Sequence, residues 1–271
     1  MALEYMHVSA FTRIPGGGNS AGVICLPEWP TDEVLSGLAR SIDLPVTAVI
    51  VETERGVELR WLSRAGSFVK SMCGHGTLAA SLAMSLSKPD LRKFIFLTPG
   101  GPVEVERTED DLFRLSLPRW DSTRCAHRWP ELEEALGWVP TELLDAGRDV
   151  LAVFASEVDV RALHPDMVKL RQLGHRGFIA TAPGNSFDCV SRFFCPTFGL
   201  GVDEDLATGS AHCAIAPFWA QRLGKSTLHA LQASEAEAEL VCEVGDTSVT
   251  VSAPAVLQSY ERVSLQENAK R

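Results

Sequence analysis

Two glycine-marked helix starts lie half a chain apart. Cys73-Gly74-His75-Gly76-Thr77 opens the apolar run "TLAASLAMSL", and Thr208-Gly209-Ser210-Ala211-His212 opens "CAIAPFWAQRL". Their first residues are 135 positions apart in a chain of 271. The flanks correspond as well. Upstream, "VELRWLS" (57–63) and "FDCVSRFFC" (187–195) are β-branched and aromatic runs around Arg60 and Arg192, which lie 13 and 16 residues ahead of the two starts. Downstream, "FIFLTPGGPVEVE" and "ELVCEVGDTSVTVS" read as strand, turn, strand by alternation and glycine placement. A period of half the chain predicts two similar units, and this constraint precedes any reading of single elements.

Both helices are apolar around more of their circumference than a surface helix, which predicts helices enclosed by sheet. The charged stretches 129–136 and 157–170 read as solvated helices of the connecting region. The expected fold class is α/β (α+β), with two pseudo-symmetric lobes. Each is expected to be a curved, mostly antiparallel sheet wrapped around a central helix. The lobes are placed at residues 1–125 and 126–271, with a C-terminal strand that crosses back to the first.

Composition narrows the partners. A formal charge of −10 argues against nucleic acid and anionic membrane. No apolar run approaches the roughly 20 residues of a membrane span, and the N-terminus lacks the basic and apolar segments of a signal peptide. Seven cysteines, an odd number without CxxC pairs, read as reduced thiols of a cytoplasmic protein. Cysteine and histidine show no close-set ligand spacing, so no metal is expected. These features point to a small-molecule substrate. The polar tail, 266–271, is expected to lack order.

The helix starts carry the candidate chemistry. A helix N-terminus presents unpaired N–H groups and a partial positive charge, which suits a carboxylate and favours a thiolate. Glycines there admit a ligand close to the backbone and allow positive φ in the entering turn. Cys73, Gly74, His75 and Gly76 are candidates in the first half, and Asp205, Thr208, Gly209 and Ser210 in the second. The cluster "RIPGGGNSAGVI" is neither a phosphate loop nor a dinucleotide fingerprint. Gly16 to Gly18 read as a turn, whereas Asn19 and Ser20 offer an amide and a hydroxyl near an element start.

At "HVSAF", "GNSAGV", "CGHGTLAAS" and "SRFFCPTFGLGVDEDLATGSAHCAIAPFWAQRLGK" the sequence resembles the PhzF (phenazine biosynthesis-like) family of the diaminopimelate epimerase fold. The stretches run from residue 7 to 225. The resemblance implies two lobes with the active cleft between them, and an isomerase or epimerase that moves a proton on carbon without cofactor. It also implies a homodimer. His75 matches the family's active-site histidine, Asp205 its motif acid, Gly209 and Ser210 its ligand-facing helix start, and Asn19 its asparagine.

One position departs. Where the phenazine isomerase has its glutamate base, "DLPVTAV" puts Val46, and valine cannot take a proton. Cys73 offers another route, because "MCGHGT" resembles the first cysteine motif of the proline racemase branch. The second cysteine of that branch is replaced by Thr208, which resembles the hydroxyproline dehydratases of the fold. Three readings stand: a Cys73-based isomerase or epimerase of a small amino or hydroxy acid, a Cys-dependent lyase or dehydratase, and a non-catalytic binder of a small ligand or protein. Other residues are read structurally. His212 packs or caps, Cys213 is a core thiol, Cys189 and Cys195 follow strand alternation, and Phe218 and Trp219 belong to the core. No function is assigned to His7, His127, His164, His175 or His229.

Overall fold

A computed structural model describes residues 2–70, 72–174, 176–198 and 201–264. Ser71, His175 and the tail 266–271 lie outside the described residues. The chain divides into two compact units. One comprises the residues up to Leu115 and the stretch from Ala253; the other comprises Ser116–Phe198 and Val202–Ser252.

The first unit is built on β1 (Ala2–Ala10), β2 (Asn19–Leu26), β3 (Val46–Thr53), β4 (Gly56–Ser63), β5 (Lys93–Thr98), β6 (Gly101–Arg107) and β7 (Phe113–Pro118). Helix α1 (Asp32–Ile42) joins β2 to β3, and α2 (Gly74–Ser87) joins β4 to β5. Successive strands pair antiparallel, parallel, antiparallel, parallel, antiparallel and antiparallel. Six consecutive residues of β3, Val46–Val51, are buried, as in a strand covered on both faces. Helix α1 lays Leu35, Leu38, Ala39 and Ile42 against Tyr5, Ile24, Val49 and Leu62. Helix α2 packs on β1, β2 and β3 and buries ten of its fourteen residues. The β1–β2 turn needs its glycines: Gly18 has φ +59°, and a Cβ there would stand 2.1 Å from the Ala10 carbonyl oxygen.

The second unit contains β8 (Thr123–Arg124), α3 (Pro130–Leu136), β9 (Glu142–Ala146), β10 (Asp149–Val153), α4 (Glu157–Arg161), α5 (Met167–Gln172), β11 (Gly177–Pro183) and β12 (Cys189–Phe194). It continues with β13 (Glu204–Asp205), a 3-10 turn Gly209–Ala211, α6 (His212–Leu223), β14 (Thr227–Gln232), β15 (Ala238–Val244) and β16 (Ser248–Ala253). From β9 onward, with the short β13 set aside as an insertion on β12, the pairings repeat those of the first unit in the same order. The repeat therefore extends from sequence to hydrogen-bond pattern. Each unit is a mostly antiparallel sheet with a buried helix, as expected. Helix α6 buries eight of its twelve residues, Trp219 among them, whereas Phe218 is only half-buried.

The last strand, β17 (Ala255–Ser264), pairs antiparallel with β1 along its whole length, Ala2 opposite Ser264 and Ala10 opposite Ala255. One expectation needs correction. Residues 157–170 form two short helices, because Pro165 interrupts the run and Asp166 caps a new start by accepting from the Val168 and Lys169 N–H groups. Among the described residues no helix is long and apolar enough to cross a membrane, and no cluster of His, Cys, Asp or Glu is set to hold a metal ion.

Candidate active site

Helix α2 starts at Gly74 with Cys73 as its N-cap, at φ −110° and ψ 101°. The Cys73 side chain makes no capping bond, so its sulfur is left for other partners. It lies 3.7 Å from His75 Nδ1, and a proton shared across that gap makes either a thiol–imidazole or a thiolate–imidazolium pair. The cap carbonyl is held instead by Thr77, whose N–H donates at 2.9 Å and whose hydroxyl donates at 2.7 Å. Gly76 does not use positive φ; its bare face is demanded by packing. A Cβ there would fall 2.7 Å from Trp61 Cδ1 and 3.3 Å from the Cys73 sulfur.

Burial governs the six further thiols. Burial pushes Cys189 and Cys213 up to about 12 and drives Cys195 and Cys242 upward as well. Cys25 and Cys125 are raised first by burial, then by Glu52 and Asp145 respectively. All six stay protonated near neutral pH. The expected packing roles of Cys189, Cys195 and Cys213 fit this.

The second start mirrors the first. Thr208 caps the 3-10 turn that runs into α6, at φ −121° and ψ 89°. Four residues on, at the place of Thr77, His212 sets Nδ1 3.0 Å from the Thr208 carbonyl oxygen. A carbonyl only accepts, so Nδ1 carries the proton. Complete burial drops the His212 pKa to about 4, against the smaller raising effect of that carbonyl. His212 is thus a neutral, back-bonded capping residue.

Asp205, Thr208 and Gln232 form a buried network with fixed direction. The Thr208 N–H donates to Gln232 Oε1 at 2.7 Å, which orients the amide. Gln232 Nε2 then donates to the Asp205 carbonyl oxygen at 2.6 Å and to the Thr208 hydroxyl at 3.3 Å. That hydroxyl donates in turn to Asp205 Oδ2 at 2.6 Å. The Thr208 proton is committed to a carboxylate within its own unit.

Ser210 is set by Arg148. The guanidinium grips fully buried Asp149 in two bonds, Nε to Oδ1 at 2.9 Å and Nη2 to Oδ2 at 2.6 Å. Its Nη1 donates to Ser210 Oγ at 3.1 Å. Since arginine only donates, Ser210 accepts there and its own proton points elsewhere. Arg148 also lies 4.7 Å from the centre of the Trp120 ring. Trp120 is fixed through Pro217: proline lacks an N–H, so the Cys213 carbonyl has no helical partner and accepts from the Trp120 N–H at 2.9 Å.

The structure therefore joins Cys73 to His75, Asp205 to Thr208, and Ser210 to Arg148. Asn19 is buried at the start of β2, opposite Ala10. Ser20 Oγ lies 3.2 Å from His7 Nε2 and 3.3 Å from Gln258 Nε2, so its recorded contacts run to β1 and β17. Val46 is the buried first residue of β3, paired with Ala21 and Ser63. Sequence reasoning missed Arg148, Gln232, Gln258 and the place of His7. Pro217, in the middle of an apolar helical run, was the one visible signal near any of them.

The sequence profile described as "Phenazine biosynthesis-like protein" matches residues 8–261. The chain belongs to the phenazine biosynthesis-like family. Within it, an uncharacterized isomerase of Pseudomonas aeruginosa is 38% identical over 266 residues, covering 98% of this chain and 100% of its own length. A PhzF-family protein of Enterococcus faecalis, known from its crystal structure, is 32% identical with a TM-score of 0.90, over 98% of this chain and 100% of that one. Farther off, a hydroxyproline epimerase from Agrobacterium vitis is 13% identical with a TM-score of 0.58 over 98% and 94% of the two chains, a likeness of fold alone. Family and fold are those that the glycine-marked stretches led us to expect.

Proposed function

We propose that this phenazine biosynthesis-like protein is an isomerase or epimerase that moves a proton on carbon of a small amino or hydroxy acid, without a cofactor. The observation that carries this reading is the Cys73–His75 pair, a thiol at a helix N-cap 3.7 Å from an imidazole nitrogen, with no capping bond to occupy the sulfur. The name isomerase borne by a relative 38% identical supports it.

In this reading the Cys73 thiolate takes a proton from the carbon next to the substrate carboxylate. We assign stabilisation of the resulting carbanion to N–H groups at Gly209 and to the Ser210 hydroxyl, which accepts from Arg148 and so keeps its own proton for another partner. The proton returns to carbon from the thiol, or from His75 or Asp205, on the same or a neighbouring atom. Asn19, Ser20 and the backbone N–H groups of Gly74 and Gly76 complete the proposed substrate-binding set. Thr208 takes no part as acid or base, because its proton is held by Asp205. General-base catalysis of this kind supplies roughly 10²- to 10⁴-fold of the rate enhancement. The protein is proposed to act as a homodimer.

The test is hydrogen exchange. The protein in D₂O with a panel of cyclic and linear amino and hydroxy acids is followed by NMR, beside Cys73→Ser. Deuterium entering at a substrate carbon, and failing to enter with Cys73→Ser, is the expected result. Exchange that survives the substitution moves the base to His75 or Asp205. Ligand-induced thermal stabilisation with no exchange from any compound overturns catalysis in favour of a binding protein, the reading that Val46 favours.

A further inference from the structure

The first unit holds a cavity of about 480 Å³ that neither Cys73 nor His75 lines. Its wall combines cations with apolar and aromatic surface: Arg60 and Lys70 stand beside Trp61, Phe68 and Leu97. Arg55, Asp32 and Glu58 also line it. Their charges are unequally engaged. Glu58 accepts from Trp29 Nε1 at 2.7 Å, Arg55 at 2.5 Å and Thr53 at 3.3 Å, bonds that hold its carboxyl below the usual range. Arg55 and Glu58 therefore satisfy each other. Arg60 lies over the Trp29 ring, 4.1 Å from its centre, and reaches the exposed Asp32 only at 3.8 Å. Among the described residues Lys70 has no ion pair or side-chain hydrogen bond. Lys70 thus faces the cavity unpaired among the described residues, and Arg60 is held there by a long contact to Asp32.

A second observation concerns Trp61. Its indole is buried, and Nε1 has no acceptor among the described residues. That Nε1 edge lies against Gly76 at the start of α2, so the indole is held in place from the helix side while Trp61 also lines the cavity. The cavity falls within the size range of sites for small ligands, whose walls are mainly apolar with a few placed polar groups.

We propose that this cavity is a binding site for a small organic anion with a flat apolar body, an aryl carboxylate in its simplest form, separate from the substrate handled by Cys73. The carboxylate meets Arg60 and Lys70, and the apolar body lies against Trp61, Phe68 and Leu97. Arginine suits this role through its planar donor fork and lysine through its point charge. The proposal does not depend on the roles assigned to Cys73 or Ser210.

Isothermal titration of the full-length chain with benzoate tests it, with benzyl alcohol and inorganic phosphate as comparators. Benzoate is expected to bind more tightly than either, since one lacks the charge and the other the apolar body. The pair Arg60→Gln and Lys70→Gln should weaken benzoate about 10- to 100-fold, the effect of losing charge-assisted hydrogen bonds. Leu97→Trp, which fills the cavity without touching a charge, should abolish binding independently. Both variants are checked by circular dichroism and thermal unfolding. In the wild-type chain the Trp61 indole N–H resonance should shift on saturation, whereas Cys73→Ser and Ser210→Ala should leave benzoate affinity unchanged. Benzoate binding lost in Cys73→Ser or Ser210→Ala but retained in Leu97→Trp would assign the anion to the proposed catalytic residues and overturn the second site. Absence of benzoate binding to the wild-type chain would overturn it too.

Discussion

At the scale of single residues, His212 shows how burial decides what a reactive side chain can do. Its pKa falls from the ordinary 6.5 to about 4 because the ring is wholly buried. The unfolded chain therefore binds a proton below pH 6.5 that the folded chain refuses until about pH 4, so stability must fall as pH drops through that window. The full effect amounts to about 3 kcal/mol. His212→Gln retains a donor for the Thr208 carbonyl and should flatten that segment of the curve, as thermal unfolding between pH 7 and 4.5 would show; equal slopes for the two proteins would refute the assignment. The capping role of His212 could be read from its place in the helix start. The reason for Gly76 could not: the glycine reads as room for a ligand, and the structure fills that room with Trp61, fifteen residues upstream in a neighbouring strand. A contact between residues on different elements leaves no trace in local pattern.

At the scale of elements, the second helix start depends on a support that begins with a proline. Pro217 frees a carbonyl, that carbonyl fixes Trp120, and Trp120 lies beside Arg148, which holds Asp149 and Ser210. Arg148→Met leaves the Asp149 carboxylate buried without its countercharge. It should cost about 3–5 kcal/mol, as broken buried ion pairs do. Adding Asp149→Asn removes the charge and should recover part of the loss, read as the midpoint of urea unfolding. No recovery would mean that Arg148 acts through packing alone. Strands and both buried helices were legible because their signals, alternation and apolar periodicity, are local. The break at Pro165 was visible as a residue yet overridden by the amphipathic pattern around it. Arg148 and Gln232 carried no signal, since each joins its helix start from a distant strand or turn.

At the scale of the molecule, the half-chain period was the most informative feature, and the strand pairings repeat with it. What the period does not contain is the closing strand. β17 is the antiparallel partner of β1 along all of β1, and Val263 enters the core beneath α1. A chain ending at Pro254 exposes one edge of β1 and opens that core. It should lose the cooperative thermal transition of the first unit while keeping helical and strand signals of the second by circular dichroism. A truncated protein with the wild-type melting profile would show that β17 is dispensable.

The same pairing sets an order of events in the cell. Translation proceeds from the N-terminus at roughly 5–20 residues per second, and domains fold as units once their sequence has emerged. The second unit is complete in the growing chain as soon as Ser252 has left the exit tunnel, whereas β1 lacks its last neighbour until β17 has emerged as well. Folding thus runs against sequence order: the second unit can close first, while β1, which precedes it in the sequence, waits for β17.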